Sequence, residues 1–177
     1  MAKQNKEEAL EQKLKEVRAQ FSEVQTETER ENMQVIVFKI GKEEYGLHID
    51  QIKEVVLTPN VTPVPEVSDY VKGVANVRGN IISIVDLERR FGVIKQGNDE
   101  TLGKYTLVVA SDEYKLGILV KEVPNTLNIS TSEIEESQNV IGDEASSGQY
   151  INGIIKLKER LIVLIDIFKV LAKAEVS

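Results

Sequence analysis

Apolar positions change period along the chain. Leu10, Leu14, Val17, Phe21 and Val24 are spaced 4, 3, 4 and 3, with Thr28 next. That is a narrow helical seam over about two and a half heptads, in a polar, charge-dense segment without Gly or Pro. Two readings follow for residues 1–32: a marginal helix that frays, or a helix that pairs with a partner helix or with its own domain. From Met33 the pattern turns to β. Val35–Ile40 and Tyr45–Ile49 flank Gly41-Lys42-Glu43-Glu44 and predict a hairpin. Ile49, Ile52 and Val56 predict a short turn running into a strand. Pro59, Pro63 and Pro65 make Thr58–Pro65 a stiff connector, because proline neither donates to a ladder nor fits a helix interior.

The stretch Tyr70–Phe91, YVKGVANVRGNIISIVDLERRF, reads as strand, tight turn, strand and short helix. Arg78-Gly79-Asn80 is the turn signal, since Gly and Asn tolerate φ > 0. Asp86 stands where a carboxylate caps a helix. Setting Gly73 on Gly153 reveals a weaker copy at an offset of 80, which places Val85-Asp86-Leu87 on Ile165-Asp166-Ile167 and loses the turn glycine, Gly79, to Glu159. Upstream, Gly46-Leu47-His48-Ile49 matches Gly117-Ile118-Leu119-Val120 at an offset of 71. The difference predicts an insertion between Pro124 and Gly148, with Ser130 or Ser132 capping a helical turn nearby. A helix is expected from about Asp166 to Lys173. The chain therefore reads as a duplication, with about five short strands and a terminal helix in each half. Such halves close into small barrels or sandwiches that gain from packing on one another. The polar stretch Lys95–Gly103 sets the expected boundary between residues 33–97 and 98–177.

Composition narrows the function. The 177 residues are 41% hydrophobic and 29% charged, with a net charge of −7 and no cysteine. Without a basic stripe, a nucleic-acid or anionic-membrane partner is not expected. No apolar run approaches the ~18 residues of a membrane span, and the charged N-terminus is unlike a signal peptide, so a cytoplasmic protein is expected.

Candidate chemistry is sparse. The single histidine, His48, lies in a strand pattern. Neither a phosphate-binding glycine loop nor a metal-ligand spacing occurs, so no catalytic residue, cofactor or metal is assigned. Asp86 and Asp166, equivalent in two β-rich halves, raise a catalytic dyad. Leu87-Glu88 and Ile167-Phe168 follow them where such a dyad has small turn residues and glycine, and helix caps explain the repeat better. Glu54 and Arg78 fit no core pattern and have no counterpart in the second half. They read either as a solvated salt bridge or two unrelated surface charges, or as a polar anchor in an apolar groove, a place that favours arginine.

Four segments, EEYGLHIDQIKEVV, Pro63-Val64-Pro65, KGVANVRGNIISIVDLERRF and YKLGILVKEV, resemble the CheW family of chemotaxis adaptors over about Gln34–Leu171. The motif residues are Gly73, Asn76, Arg78, Gly79, Val85, Asp86 and Leu87. Lys121 departs from the family's usual acid, and the N-terminal segment exceeds its usual lead. The resemblance implies a mainly β fold of two packed five-stranded SH3-like β-barrels with short helices; the N-terminal helical or disordered extension lies outside it. The resemblance also implies a scaffold without enzymatic activity. Its partners would be the cytoplasmic hairpin tip of membrane chemoreceptors and the regulatory domain of the histidine kinase CheA, with recruitment to receptor arrays and no membrane insertion. Carried over by position, Ile52, Glu54, Gly73 and Arg78 look like the receptor-facing groove and its supporting ion pair, with Asn76 and Gly79 as the turn and strand residues that position Arg78. The alternative is a CheV-type adaptor whose receiver would follow Ser177.

Overall fold

The computed structural model describes residues 2–93, 103–136 and 150–172, excepting the side chains of 2–5 and 22–31. Helix α1 spans Ala2–Glu31. Strands β1 (Asn32–Ile40) and β2 (Glu43–His48) form the expected hairpin, and a 3₁₀ turn at Ile49–Gln51 leads into β3 (Ile52–Leu57). Then come β4 (Val71–Val77), β5 (Asn80–Val85) and α2 (Leu87–Arg90). The second run has β6 (Tyr105–Ala110), β7 (Lys115–Val120), β8 (Asn125–Ser130), β9 (Ile134–Glu135), β10 (Ile151–Leu157), β11 (Arg160–Ile165) and α3 (Ile167–Ala172). The 3₁₀ turn between β8 and β9 is capped by Ser130, with Glu133 returning the capping-box bond.

Two sheets result, with orders β8-β1-β2-β11-β10-β9 and β3-β6-β7-β5-β4. Each closes on itself through the run that follows one edge strand, β8 in the first sheet and β3 in the second. In the first barrel, β8 pairs with β1 and its continuation β9 pairs with β10. In the second, the chain beyond β3 returns at Thr62, which exchanges two backbone hydrogen bonds with Val74 of β4 (2.8 and 2.9 Å).

The expected division at residues 97/98 does not follow these sheets. The first barrel takes β1 and β2 from the first half and β8–β11 from the second; the other takes β3–β5 from the first and β6–β7 from the second. The halves have exchanged their leading hairpins. Leu164 of β11 lies opposite Gly46 in a parallel pairing, while Ile84 of β5 lies opposite Gly117. The equivalence survives the exchange: Gly46 matches Gly117, and Ile84 matches Leu164. Strand pairing depends on complementary edges, and duplicated hairpins offer the same edge to either copy. Part of Lys95–Gly103 and of the expected insertion lies outside the described residues.

Burial divides into three cores. Val35, Val37, Ile129, Ile155, Ile162 and Leu164 fill the first barrel. Ala75, Val77, Ile82, Ile84 and Val108 fill the second. The largest core lies between them and draws on both, with Phe38, Leu47, Leu87, Leu107, Ile118, Ile165 and Ile167 among its members. Each fully buried aliphatic side chain contributes about 1.5–3 kcal/mol, so the interface stabilises the molecule as its interiors do. The terminal helices meet at this interface, where the Arg90 guanidinium sits over the Tyr70 ring and donates to the Val170 carbonyl (3.1 Å).

Asp86 and Asp166 cap these helices in the same way. Asp86 Oδ1 accepts from the amides of Glu88 and Arg89, and Asp166 Oδ1 from those of Phe168 and Lys169. Both carboxylates are thus engaged with helix N-termini in separate places. Lys121, the departure from the family pattern, pairs with Glu88 at 2.8 Å.

Candidate functional site

The candidate site lies on the second barrel, along the seam that Thr62 closes. Its first side is β3. A bulge falls between Ile52 and Glu54, after which Glu54 and Val56 are half-buried while Val55 and Leu57 face solvent. The other side is the β4–β5 hairpin. Arg78 and Gly79 form its two-residue turn, both with positive φ (49° and 84°), and Asn76 Oδ1 accepts from the Gly79 amide at 2.9 Å. Two left-handed residues match the twist of an antiparallel hairpin. Asparagine and glycine thus fix the turn that carries Arg78.

Arg78 Nε reaches Glu54 Oε2 at 2.7 Å. The pair joins β3 to the β4–β5 turn, the two opposite edges of this sheet. Its burial is lopsided, with the Arg78 side chain 76% exposed and that of Glu54 23%. The carboxylate is sheltered and fixed, and the guanidinium keeps most of its donors in water. Large apolar side chains are exposed on the same elements: Val55 and Leu57 on β3, Ile81 on β5, and Val64 and Val67 on the connector. The two charges form a salt bridge that is largely solvated on its basic side, on elements that also expose apolar side chains.

Gly73 and Ile52 play other parts. Gly73 is buried, with φ +140°, and a Cβ there would lie 2.0 Å from the Thr62 carbonyl oxygen. It is the place where the closing segment crosses β4, so it shapes the seam from beneath. Ile52 is half-buried against the core between the barrels and offers only part of its side chain.

The site has no duplicate. By strand register, the position equivalent to Glu54 in the first barrel is Asn125, since Glu54 pairs with Val108 and Asn125 with Val37. Val55 and Leu57 then correspond to Thr126 and Asn128, and Arg78 to Lys158. The fold is doubled, and Leu161 is exposed as its equivalent Ile81 is, while the anchored charge and the apolar face of β3 have no counterpart at these positions. The first barrel instead carries a bidentate pair, Arg160 to Glu44 (3.0 and 2.7 Å), tying β11 to β2. Arg160 holds the Glu44 carboxyl below its usual pKa. Sequence spacing could not reveal it, because the partners are 116 residues apart.

Among the described residues, no group of His, Asp and Glu side chains is arranged to hold a metal ion, and no helix is long and apolar enough to cross a membrane.

Comparison with known proteins gives consistent matches. Residues 34–175 match the model of the CheW-like domain. A chemotaxis protein CheW of Treponema pallidum is 30% identical over 83% of this chain and 86% of its own length. The Helicobacter pylori CheW is 31% identical over 83% of this chain and 86% of its own. A CheV3 protein of the same organism is 23% identical, and the match spans only 40% of it. The crystal structure of the scaffolding protein TtCheW from Thermoanaerobacter tengcongensis superposes with a TM-score of 0.64 at 29% identity, covering 76% of this chain and 88% of that one.

Proposed function

The chain belongs to the CheW-like family of chemotaxis scaffold proteins, and on that premise we propose that it couples membrane chemoreceptors to the histidine kinase CheA. The receptor's cytoplasmic hairpin tip would dock on the seam of the second barrel, a form of helix-in-groove recognition. The observation that carries this reading is the Glu54–Arg78 pair, fixed on its acidic side and open on its basic side among exposed apolar residues. Arginine in such a setting combines a persistent charge, planar donors and an apolar stem. Exposed strand edges elsewhere on the barrels would meet the kinase's similar regulatory domain. The protein would act in the cytoplasm, recruited to the receptor array and catalysing nothing itself.

The test is kinase autophosphorylation in receptor-containing membranes, with wild type and with Arg78→Ala. Wild type raises phosphorylation, and the variant, folded normally, raises it little. If the variant matches wild type, the receptor does not use this seam. If neither changes it in membranes where another adaptor does, the chain serves a different partner.

A further inference from the structure

The N-terminal helix presents its seam to solvent. Leu10, Leu14, Val17 and Phe21 are 60%, 50%, 47% and 66% exposed, and none of them joins any of the three cores. Four large apolar side chains on one stripe of a helix normally find cover. The barrels do not supply it, and the flanking charges indicate what does.

Leu14 and Phe21 occupy a positions of a heptad, and Leu10 and Val17 occupy d. The flanking e positions are then Glu11 and Arg18, and the g positions Lys6, Lys13 and Gln20. Over residues 6–21, Lys6, Lys13, Lys15 and Arg18 balance Glu7, Glu8, Glu11 and Glu16. Unlike the acidic protein as a whole, this segment has no net charge to repel a copy of itself. Orientation follows from the flanks. In a parallel pair each Lys13 faces Arg18 of the other copy and Glu7 faces Glu7 in the seam. These three like-charge contacts outnumber the favourable one between Lys6 and Glu11, which occurs twice. In an antiparallel pair Leu10 meets Phe21, Leu14 meets Val17, Glu11 meets Arg18 twice, and Lys13 meets the neutral Gln20. Every layer of residues 10–21 is then apolar, and no like charges meet.

We propose that α1 is a self-association element, pairing antiparallel with α1 of a second copy of this chain. A helix of 30 residues is about 45 Å long, and the barrels begin at its C-terminal end. An antiparallel pair therefore sets two adaptors at opposite ends of a strut, leaving the seam of each second barrel accessible.

Sedimentation equilibrium of the full chain tests this. The weight-average mass rises from 19.8 kDa towards twice that value between about 10 µM and 1 mM, a range suited to a pair this short. Leu14→Glu remains monomeric with its thermal transition intact. Arg18→Glu weakens the dimer roughly tenfold, since two attractive contacts become repulsive, and Glu11→Arg added to it restores association. In a parallel pair Arg18→Glu would instead strengthen association. Because the chain lacks cysteine, Leu10→Cys and Phe21→Cys can be oxidised separately and as a mixture. Cross-linking mainly in the mixture supports the antiparallel pair, and efficient cross-linking of either variant alone overturns it. A wild-type mass constant at 19.8 kDa across the range overturns self-association, and the seam then belongs to another protein.

Discussion

Replacing Gly73 by alanine probes how the second barrel is closed. The added Cβ would stand 2.0 Å from the Thr62 oxygen and 2.7 Å from its carbonyl carbon, far inside contact distance, at a φ of +140°. The obstacle is backbone, so no side chain can rotate to make room. Either β4 moves or the closing segment lifts and gives up its two hydrogen bonds to Val74. Those bonds contribute about 0.5–1.5 kcal/mol each, and the backbone conformation costs a non-glycine residue about 1–3 kcal/mol. The expected loss is about 2–6 kcal/mol, a large share of the 5–15 kcal/mol typical of a domain. Two other glycines calibrate the result. Gly79→Ala meets nothing within 4 Å and carries only the strain of φ +84°, so it costs about 1 kcal/mol. Gly153→Ala, the equivalent of Gly73 in the first barrel, meets the Ile134 Cγ2 methyl at 2.6 Å and the Glu135 carbonyl oxygen at 3.1 Å, a lesser clash with backbone than at Gly73, and its φ is not in the left-handed region. Urea unfolding of the three variants should rank Gly73 well above the others. Hydrogen exchange should show the Thr62 and Val74 amides opening in that variant first. A Gly73→Ala protein within 0.5 kcal/mol of wild type, with both amides still protected, would refute the account of the seam.

Other expectations follow. Arg78→Ala should leave unfolding within about 1 kcal/mol of wild type, since a largely exposed pair contributes little, so its loss of receptor coupling would not trace to misfolding. Glu44 has a lowered folded pKa. Its pair with Arg160 therefore contributes fully above the unfolded carboxylate's range and is lost as pH falls through that range and the lower folded value. In acid titrations of stability, Arg160→Gln should remove part of that decline, about 1 kcal/mol or less. Fragments test the hairpin exchange by circular dichroism and denaturation. Residues 33–97 lack β6 and β7 and should show no cooperative transition, whereas residues 49–123 carry all five strands of the second barrel and should retain more sheet.

Much of the fold was legible because its signals are local. The turn at Arg78-Gly79, the cap at Asp86 and the hairpin around Gly41 are each set by a few adjacent residues. The duplication was legible because offsets of 71 and 80 keep glycines and aspartates in step. The partner of each hairpin was not legible. The β-branched faces of β5 and β11 are nearly interchangeable, and spacing says nothing of which copy a strand will choose. At the site, Glu54 and Arg78 stood out as charges in apolar surroundings. The burial of Gly73 escaped notice, since it depends on Thr62, a polar residue in a proline-rich connector with no strand pattern of its own.

The exchange of hairpins also dictates an order of events on the ribosome. The strands made first, β1 and β2, pair with β8 and β11, and β11 ends at Ile165. The second barrel, by contrast, has all its strands once Val120 has emerged. Synthesis thus completes the inner barrel before the outer one. The hairpin bearing Val35, Val37, Phe38 and Leu47 gains β8 on its β1 edge soon afterwards, but its β2 edge must wait unpaired while more than thirty further residues are added before β11 is complete. Such a hairpin is an aggregation hazard for any chain released early. A stop codon within β10 or β11 would therefore leave a protein with one finished barrel and an open, adhesive β2 edge.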